Sequence, residues 1–307
     1  SGQYATYYKI LLLEMLANCF DISWFFQGME DFKKTVIRNF IIKIISVVSI
    51  FTFVKSADDV GAYLLIYTLS TLFGSLTLWI GIHKYIEIPK KINIFSHLKS
   101  IFILFIPQVA VQIYVVLDKT MIGAILNDMS EVGYYEQAQK IIKILLTVIT
   151  AVGTVMMPRI ANNYINNNKN SIKILLEKAG QISLMFAIPM CFGIAICAHN
   201  LIPWYLGIDF SPSISAIIIM SPIIIANSLI GISGNQYFTA TNQIKILTYS
   251  YFSALIVNII LNYTLIKNMG FIGAAYTTTV TSFTSLIIQY YFFNKQLEIK
   301  PYLYYIL

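Results

Sequence analysis

Apolar residues fall in blocks of roughly 20, the length that crosses a bilayer as an α-helix, separated by short polar or basic stretches. The pattern predicts nine spans: Tyr4–Phe26, Thr35–Val54, Val60–Ile82, Ile101–Leu126, Tyr134–Pro158, Ala179–Ala198, Ser215–Phe238, Ile246–Ile266 and Phe271–Phe293. The fold class is therefore all-α, a polytopic integral membrane helical bundle.

The polar residues inside these blocks are more informative than the apolar ones. Ile101–Leu126 contains Gln108, Gln112, Asp118 and Lys119. At helical spacing Gln108, Gln112 and Lys119 share a narrow sector, with Tyr114 and Asp118 in a second stripe beside it. In the following span Glu136, Lys140, Lys143, Thr147, Thr150 and Thr154 continue along one face. Lys140 and Lys143 lie roughly 9 to 14 Å beyond a helix start near Tyr134, at about 1.5 Å per residue, and snorkelling serves the second poorly. A charge at that depth costs several kcal/mol in lipid, so it normally faces a bundle interior or a water-filled cavity. The hairpin Ile101–Arg159 thus points to a transporter with a cationic cavity. The structural alternative is that its lysines pair with carboxylates on neighbouring helices and only hold the bundle together.

Lys43 shares a face with Asn39 and Ser46, whereas Glu14, Asn18 and Asp21 line one side of the first span. Glu14, Asp21 and Asp118 either balance the buried lysines or carry a coupling proton or sodium ion. Arg159 follows Pro158 at a helix end and reads as an interfacial anchor, and Trp24 and Tyr134 as belt aromatics.

Composition agrees with a membrane protein. Of 307 residues, 57% are hydrophobic and 11% charged, against about 25% charged in soluble domains. The net charge of +7 is scattered between spans, which argues for topology and against nucleic acid. The Lys and Arg residues in alternate inter-span segments, with Arg38 just inside the second span counted among them, number fourteen on one side and two, Lys55 and Lys267, on the other. Basic loops stay cytoplasmic, so Ser1 is expected outside. Cys19, Cys191 and Cys197 form no CxxC pair and lie in apolar runs, and no disulfide, zinc site or other cofactor is indicated. No phosphate-binding GxxxxGK[ST] string occurs.

The Lys55 stretch followed by Gly61 and Ala62 repeats at Lys267, Gly273 and Ala274, a weak internal symmetry of the kind transporters carry. It suggests two pseudo-symmetric bundles, the first incomplete. Residues 1–100 would form the second half of the first bundle, with three spans and a cytoplasmic linker. Residues 101–307 would form the second bundle, with six spans and the start of another at Pro301–Leu307. Ser1 and the offset of the repeat suggest a fragment lacking its first three helices.

Four strings, DISWFFQGMEDFK from Asp21, VQIYVVLDKTMIG from Val111, VGYYEQAQKI from Val132 and MMPRIAN from Met156, resemble the polysaccharide transporters of the multidrug, oligosaccharidyl-lipid and polysaccharide exporter superfamily. These are the Wzx-type flippases of O-antigen and capsule assembly. The resemblance covers essentially the whole chain, from the family's fourth helix onward. It implies alternating-access translocation of undecaprenyl-pyrophosphate-linked oligosaccharide across the bacterial cytoplasmic membrane. It also makes membrane lipid a partner and a polysaccharide polymerase complex a candidate one. Lys43, Gln108, Gln112, Lys119, Lys140 and Lys143 would line the substrate pathway. A drug or small-solute antiporter of the same superfamily is the nearest alternative, though its cationic substrates would want carboxylates to outnumber lysines. A polysaccharide polymerase or glycosyltransferase would need a converging catalytic set, and the segment His199–Ser213 offers only His199 and Asp209.

Overall fold

The computed structural model describes residues 2–29, 31–80, 82, 85 and 94–297. The basic residues Lys84, Lys90 and Lys91, the apolar Pro301–Leu307 and the side chains of Lys99 and Thr154 lie outside the described set. The described residues are helical, and the chain divides into two compact units, Ser1–Ile92 and Asn93–Leu307. Among the described residues seven helices are long and apolar enough to cross a membrane, or nine spans if each of two bent helix pairs is one.

In the first unit α1 (Gly2–Cys19) and α3 (Phe32–Phe53) both pack on α4 (Val60–Thr77). The predicted first span is present as one membrane-length segment, Ala5–Gly28, with a local interruption: after α1 the chain turns at Phe20–Ile22 and resumes as the short α2 (Ser23–Gly28). Asp21 Oδ1 accepts a hydrogen bond from the Ser23 N–H at 2.7 Å, satisfying a donor that the break exposes. Before α4, Asp59 accepts from the N–H groups of Lys55 and Ser56. These bonds hold the Asp59 carboxyl below its usual range, and with Ser56 form a capping box.

The second unit contains α5 (Ile94–Leu126), α6 (Met129–Ile165), α7 (Lys169–Tyr205), α8 (Ser213–Met220), α9 (Ile223–Ile230), α10 (Ile244–Met269) and α11 (Phe271–Leu297). Its helix ends are encoded locally. Asn127 and Asn167 take positive φ, and the side chains of Asp128 and Asn168 then cap α6 and α7 by accepting from Ser130 N and Ser171 N. Pro222, which has no N–H to donate, follows Ser221 where α8 gives way to α9 at a 43° bend. A π-helical segment, Gly231–Thr239, continues α9. A second bend of 45° separates the Met129–Ala151 and Val155–Ile165 parts of α6.

The core is densest where α10 packs against both α5 and α11. Gly270 turns the chain between α10 and α11 at φ 62°, and Glu131 Oε2 accepts from Phe271 N at 3.1 Å, placing a carboxylate at the positive end of α11. One turn on, Gly273 meets the backbone of α10. A Cβ at Gly273 would stand 2.3 Å from the Leu265 carbonyl oxygen, and backbone cannot swing aside as a side chain can. Gly273→Ala is accordingly expected to destabilise the second unit by about 1–3 kcal/mol in detergent-solubilised thermal unfolding. Gly193→Ala, with nothing within 4 Å of its added Cβ, should be near neutral. Equal melting temperatures would contradict this account of the α10–α11 contact.

Candidate functional site

Asp118 stands in the second half of α5 and is completely buried. Four side chains from three other helices converge on it. Asn258 and Asn262 of α10 donate to Oδ1 at 2.9 and 2.6 Å. Tyr135 of α6 and Thr278 of α11 donate to Oδ2 at 2.7 and 3.0 Å. The Tyr135 and Thr278 hydroxyls also lie 2.7 Å apart, and Asn262 Nδ2 additionally reaches Asn258 Oδ1 at 3.2 Å. No Lys or Arg pairs with Asp118 among the described residues. The four side chains are buried as well, so the knot is a buried polar junction of α5, α6, α10 and α11.

Burying a carboxylate without a counter-charge is costly, and such a group escapes the cost by taking a proton or a cation. Asn262 Oδ1 is buried with no hydrogen-bond partner. Rotation of the Asn258 and Asn262 amides would turn two more oxygens toward Asp118, making a site of carboxylate, amide and hydroxyl oxygens. Oxygen ligands suit a small hard cation, and the same group with its amides as they stand can hold a proton.

A second feature lies outside the core. Lys119 of α5 and Lys140 of α6 both pair with Glu136 Oε1, at 3.5 and 3.4 Å. Two cations share one carboxylate, leaving net positive charge, and Lys143 is exposed one turn further along α6. Because α6 begins at Met129, five residues before the sequence-predicted start, Lys140 and Lys143 lie about 16 and 21 Å along the helix at 1.5 Å per residue. Thr147 and Thr150 continue this exposed face, and Gln108 and Gln112 are exposed on α5, beside an open groove of about 540 Å³. The ion pairs stitch the polar stripes of α5 and α6 into one face.

The remaining candidates belong to the first unit and are not gathered into one site. Glu14 accepts from the Tyr67 hydroxyl at 3.3 Å, Asp21 serves the α2 start, and Lys43 is exposed on α3. Arg38, half-buried near Asp21, has a buried Nε without a hydrogen-bond partner and lines a groove of about 540 Å³ with Lys33 and Lys34. Among the three acidic candidates only Asp118 has the burial and the converging partners of a specific site. Its partners Tyr135, Asn258, Asn262 and Thr278 were not singled out from the sequence. The Asn258/Asn262 pair, at i and i+4 inside an apolar helix, was the readable signal.

Comparison with known proteins identifies a family for the chain. The family described as polysaccharide biosynthesis protein matches residues 3–164. A curated relative, the probable low-salt glycan biosynthesis flippase Agl15 of Haloferax volcanii, is 25% identical over 184 residues, 60% of this chain and 39% of the flippase. The helical arrangement is similar to a crystallised MATE transporter mutant (TM-score 0.74, 12% identity, 95% of this chain and 69% of the other). It is also similar to an outward-facing multidrug resistance MATE family transporter of the MOP superfamily (0.67, 14%, 86% and 61%). A third likeness is to the lipid II flippase MurJ in an inward closed conformation (0.64, 20%, 93% and 62%). The chain thus has the fold of these transporters and spans well under half the length of the curated flippase.

The Asp118 knot yields a stability test. Tyr135→Phe removes a hydroxyl shared by Asp118 and Thr278 and should cost about 1–2 kcal/mol in thermal unfolding. Tyr276→Phe, at an exposed position of α11, should be neutral. Indistinguishable variants would show that the knot contributes nothing to folding.

Proposed function

The chain belongs to the polysaccharide biosynthesis protein family, and on that premise we propose that it is part of a flippase carrying an anionic lipid-linked glycan across a membrane by alternating access. The observation that carries the reading is the exposed face with Lys119, Glu136, Lys140 and Lys143. Exposed cations far along a membrane helix are tolerated where they line water, and such a face attracts a phosphate or an acidic sugar. Sugars and pyrophosphate lose their hydration in hydrocarbon. A cationic, hydroxyl-lined path replaces part of it while the lipid tail stays in the bilayer. Gln108 and Gln112 supply neutral hydrogen bonds to sugar hydroxyls, and Lys43 and Arg38 offer further positive charge on the first unit.

Within this reading Asp118 is the coupling site, alternately loaded with and relieved of a cation as the substrate path opens to either side. Glu14 and Asp21 are weaker candidates, since each already serves a local hydrogen bond. The substrate we infer is an undecaprenyl-pyrophosphate-linked repeat unit for O-antigen or capsule, moved outward across the bacterial cytoplasmic membrane, with Ser1 on the outer side and a polysaccharide polymerase complex receiving the product. The description of the Haloferax volcanii relative as a probable glycan biosynthesis flippase supports a glycan substrate. MATE-like drug export is the second reading, favoured by the likeness of fold and disfavoured by the positive sign of the α5–α6 face.

The test is complementation with the full-length gene. The Lys140→Gln/Lys143→Gln double variant, at matched abundance, should lower surface polysaccharide at least about tenfold, the factor equivalent to about 1.4 kcal/mol, with lipid-linked intermediate accumulating. Wild-type export by that variant would rule out the cationic pathway.

A further inference from the structure

The first unit carries an open groove of about 540 Å³ beside the start of α3. Along α3 its lining runs from Lys33 and Lys34 through Ile37 and Arg38 to Ile41 and Ile42. Charge is thus gathered in the first turns of the helix, and the part further along is hydrocarbon. Phe26 of α2, with Leu78 and Ile80 just past α4, lines the rest. Ile37, Ile41 and Ile80 are exposed, as apolar side chains that face an acyl chain would be. The volume falls within the usual range for small-ligand sites, roughly 300 to 1,000 Å³.

The cations of this groove stand where the fold itself disfavours them. Lys33 and Lys34 follow Phe32 in the first turn of α3, the positive end of its dipole, and Asp31 before them makes no side-chain cap. Lys34 is held in place by other groups. Its Nζ lies 3.6 Å from Asp31, donates to the Tyr85 hydroxyl at 3.3 Å, and sits 5.0 Å from the ring centres of both Phe26 and Tyr85. Lys33 and Arg38 have no ion pair or hydrogen bond among the described residues. Arg38 lies about 9 Å along α3 from its first residue, and its Nε is buried without a partner. Gly74 of α4 leaves room for it: a Cβ there would stand 3.3 Å from Arg38 Nη1 and 2.7 Å from Ile42 Cδ1. Topology accounts for basic residues at a helix start. It does not account for a guanidinium left unpaired a turn and a half further in, where the missing partner is costly.

We propose that this groove binds one anionic phospholipid of the surrounding bilayer, its phosphodiester on Lys33 and Arg38 and an acyl chain along Ile37, Ile41 and Ile80. Charge complementarity selects the ligand. Among the described residues, Lys33, Lys34 and Arg38 are opposed by Asp31, which pairs with Lys34, and by Asp21, which stands near Arg38. Three positive charges against two negative leave one to be matched. A phosphodiester carries one negative charge, whereas a pyrophosphate diester carries two. A guanidinium offers parallel N–H donors that fit phosphate oxygens, and basic pockets between membrane helices are a recurrent way of holding lipid head groups. Free phosphate would leave the isoleucine-lined part of the groove unused. The site is separate from the α5–α6 face and does not depend on what that face carries. Arg38, only a general source of positive charge in the glycan reading, acquires a specific ligand here.

Native mass spectrometry of the full-length protein, titrated in detergent with phosphatidylglycerol, phosphatidylcholine, farnesyl pyrophosphate or inorganic phosphate, provides the test. One equivalent of phosphatidylglycerol should be retained about tenfold more tightly than phosphatidylcholine, and inorganic phosphate should not displace it. Lys33→Gln should weaken that equivalent about fivefold and Lys33→Gln/Arg38→Gln at least about tenfold. Lys55→Gln, beyond the other end of α3, should leave it unchanged. Lys33 is exposed and makes no contact that folding needs, so its single variant reports on binding even if the double variant fails to fold. Undiminished retention in the Lys33→Gln variant would overturn the site. Tighter binding of farnesyl pyrophosphate, lost in the same variant, would assign the groove to a prenyl pyrophosphate and overturn the phospholipid. Failure of the unmodified protein to retain any phosphatidylglycerol would mean that another segment of the full-length chain covers the groove, and would overturn the proposal as well.

Discussion

Hydrocarbon offers no hydrogen bonds, so a carboxylate inside a membrane helix must find its partners on neighbouring helices. Asp118 does so through Tyr135, Asn258, Asn262 and Thr278, and the second unit is arranged around the need to bring these four together. Close approach of α10 and α11 at Gly273 sets Asn262 and Thr278 beside each other. The turn at Gly270 and the Glu131 bond to the start of α11 fix their register. Half-made, the same knot would be worse than an apolar core, because an unpaired buried polar group costs its full desolvation.

Polarity in the second unit is divided between two places with different chemistry. The buried knot of α5, α6, α10 and α11 carries one acid among neutral amides and hydroxyls. The exposed face of α5 and α6 carries cations in excess of carboxylates. Adjacent residues of one helix serve both: Asp118 points into the knot while Lys119 joins Glu136 on the face. Under the proposed function, loading of the first with a cation and occupation of the second by an anion would be placed one residue apart, a distance over which a small rotation of α5 would be felt at both. That adjacency gives coupling a physical route without requiring the two ligands to touch.

Much of this was legible in the sequence because membrane helices announce themselves by length and apolarity, and because charge within them is conspicuous. The stripe Gln108, Gln112, Lys119 and its continuation on α6 are geometric consequences of helical period. Of the expectations about the lysines, ion pairing is seen: Lys119 and Lys140 pair with a carboxylate, yet with the same one, so pairing does not neutralise the face. Pro222 marks one bend in the sequence, but the interruption within the first span and the π-helical run were not legible. The chain turns between Cys19 and Ser23 without a proline or glycine to mark it, and the π-helical run Gly231–Thr239 depends on tertiary packing. The partners of Asp118 were missed because Asn, Thr and Tyr are common in membrane helices, and only their convergence, across 17 positions for Tyr135 and 140 to 160 for the others, gives them meaning.

The claim on which the rest turns is that the α5–α6 face borders water in the membrane and meets an anion there. Single cysteines at Gln112 and Thr147, in a full-length protein whose exposed Cys19 and Cys197 are replaced by serine, would test it with a membrane-impermeant charged thiol reagent. Both positions should react and be protected by an anionic lipid-linked glycan, while a cysteine at the exposed apolar position Ile287 should stay unreactive. Lack of reaction at Gln112 and Thr147 in every conformational state would mean that the face meets lipid or protein, and the cationic pathway would be wrong.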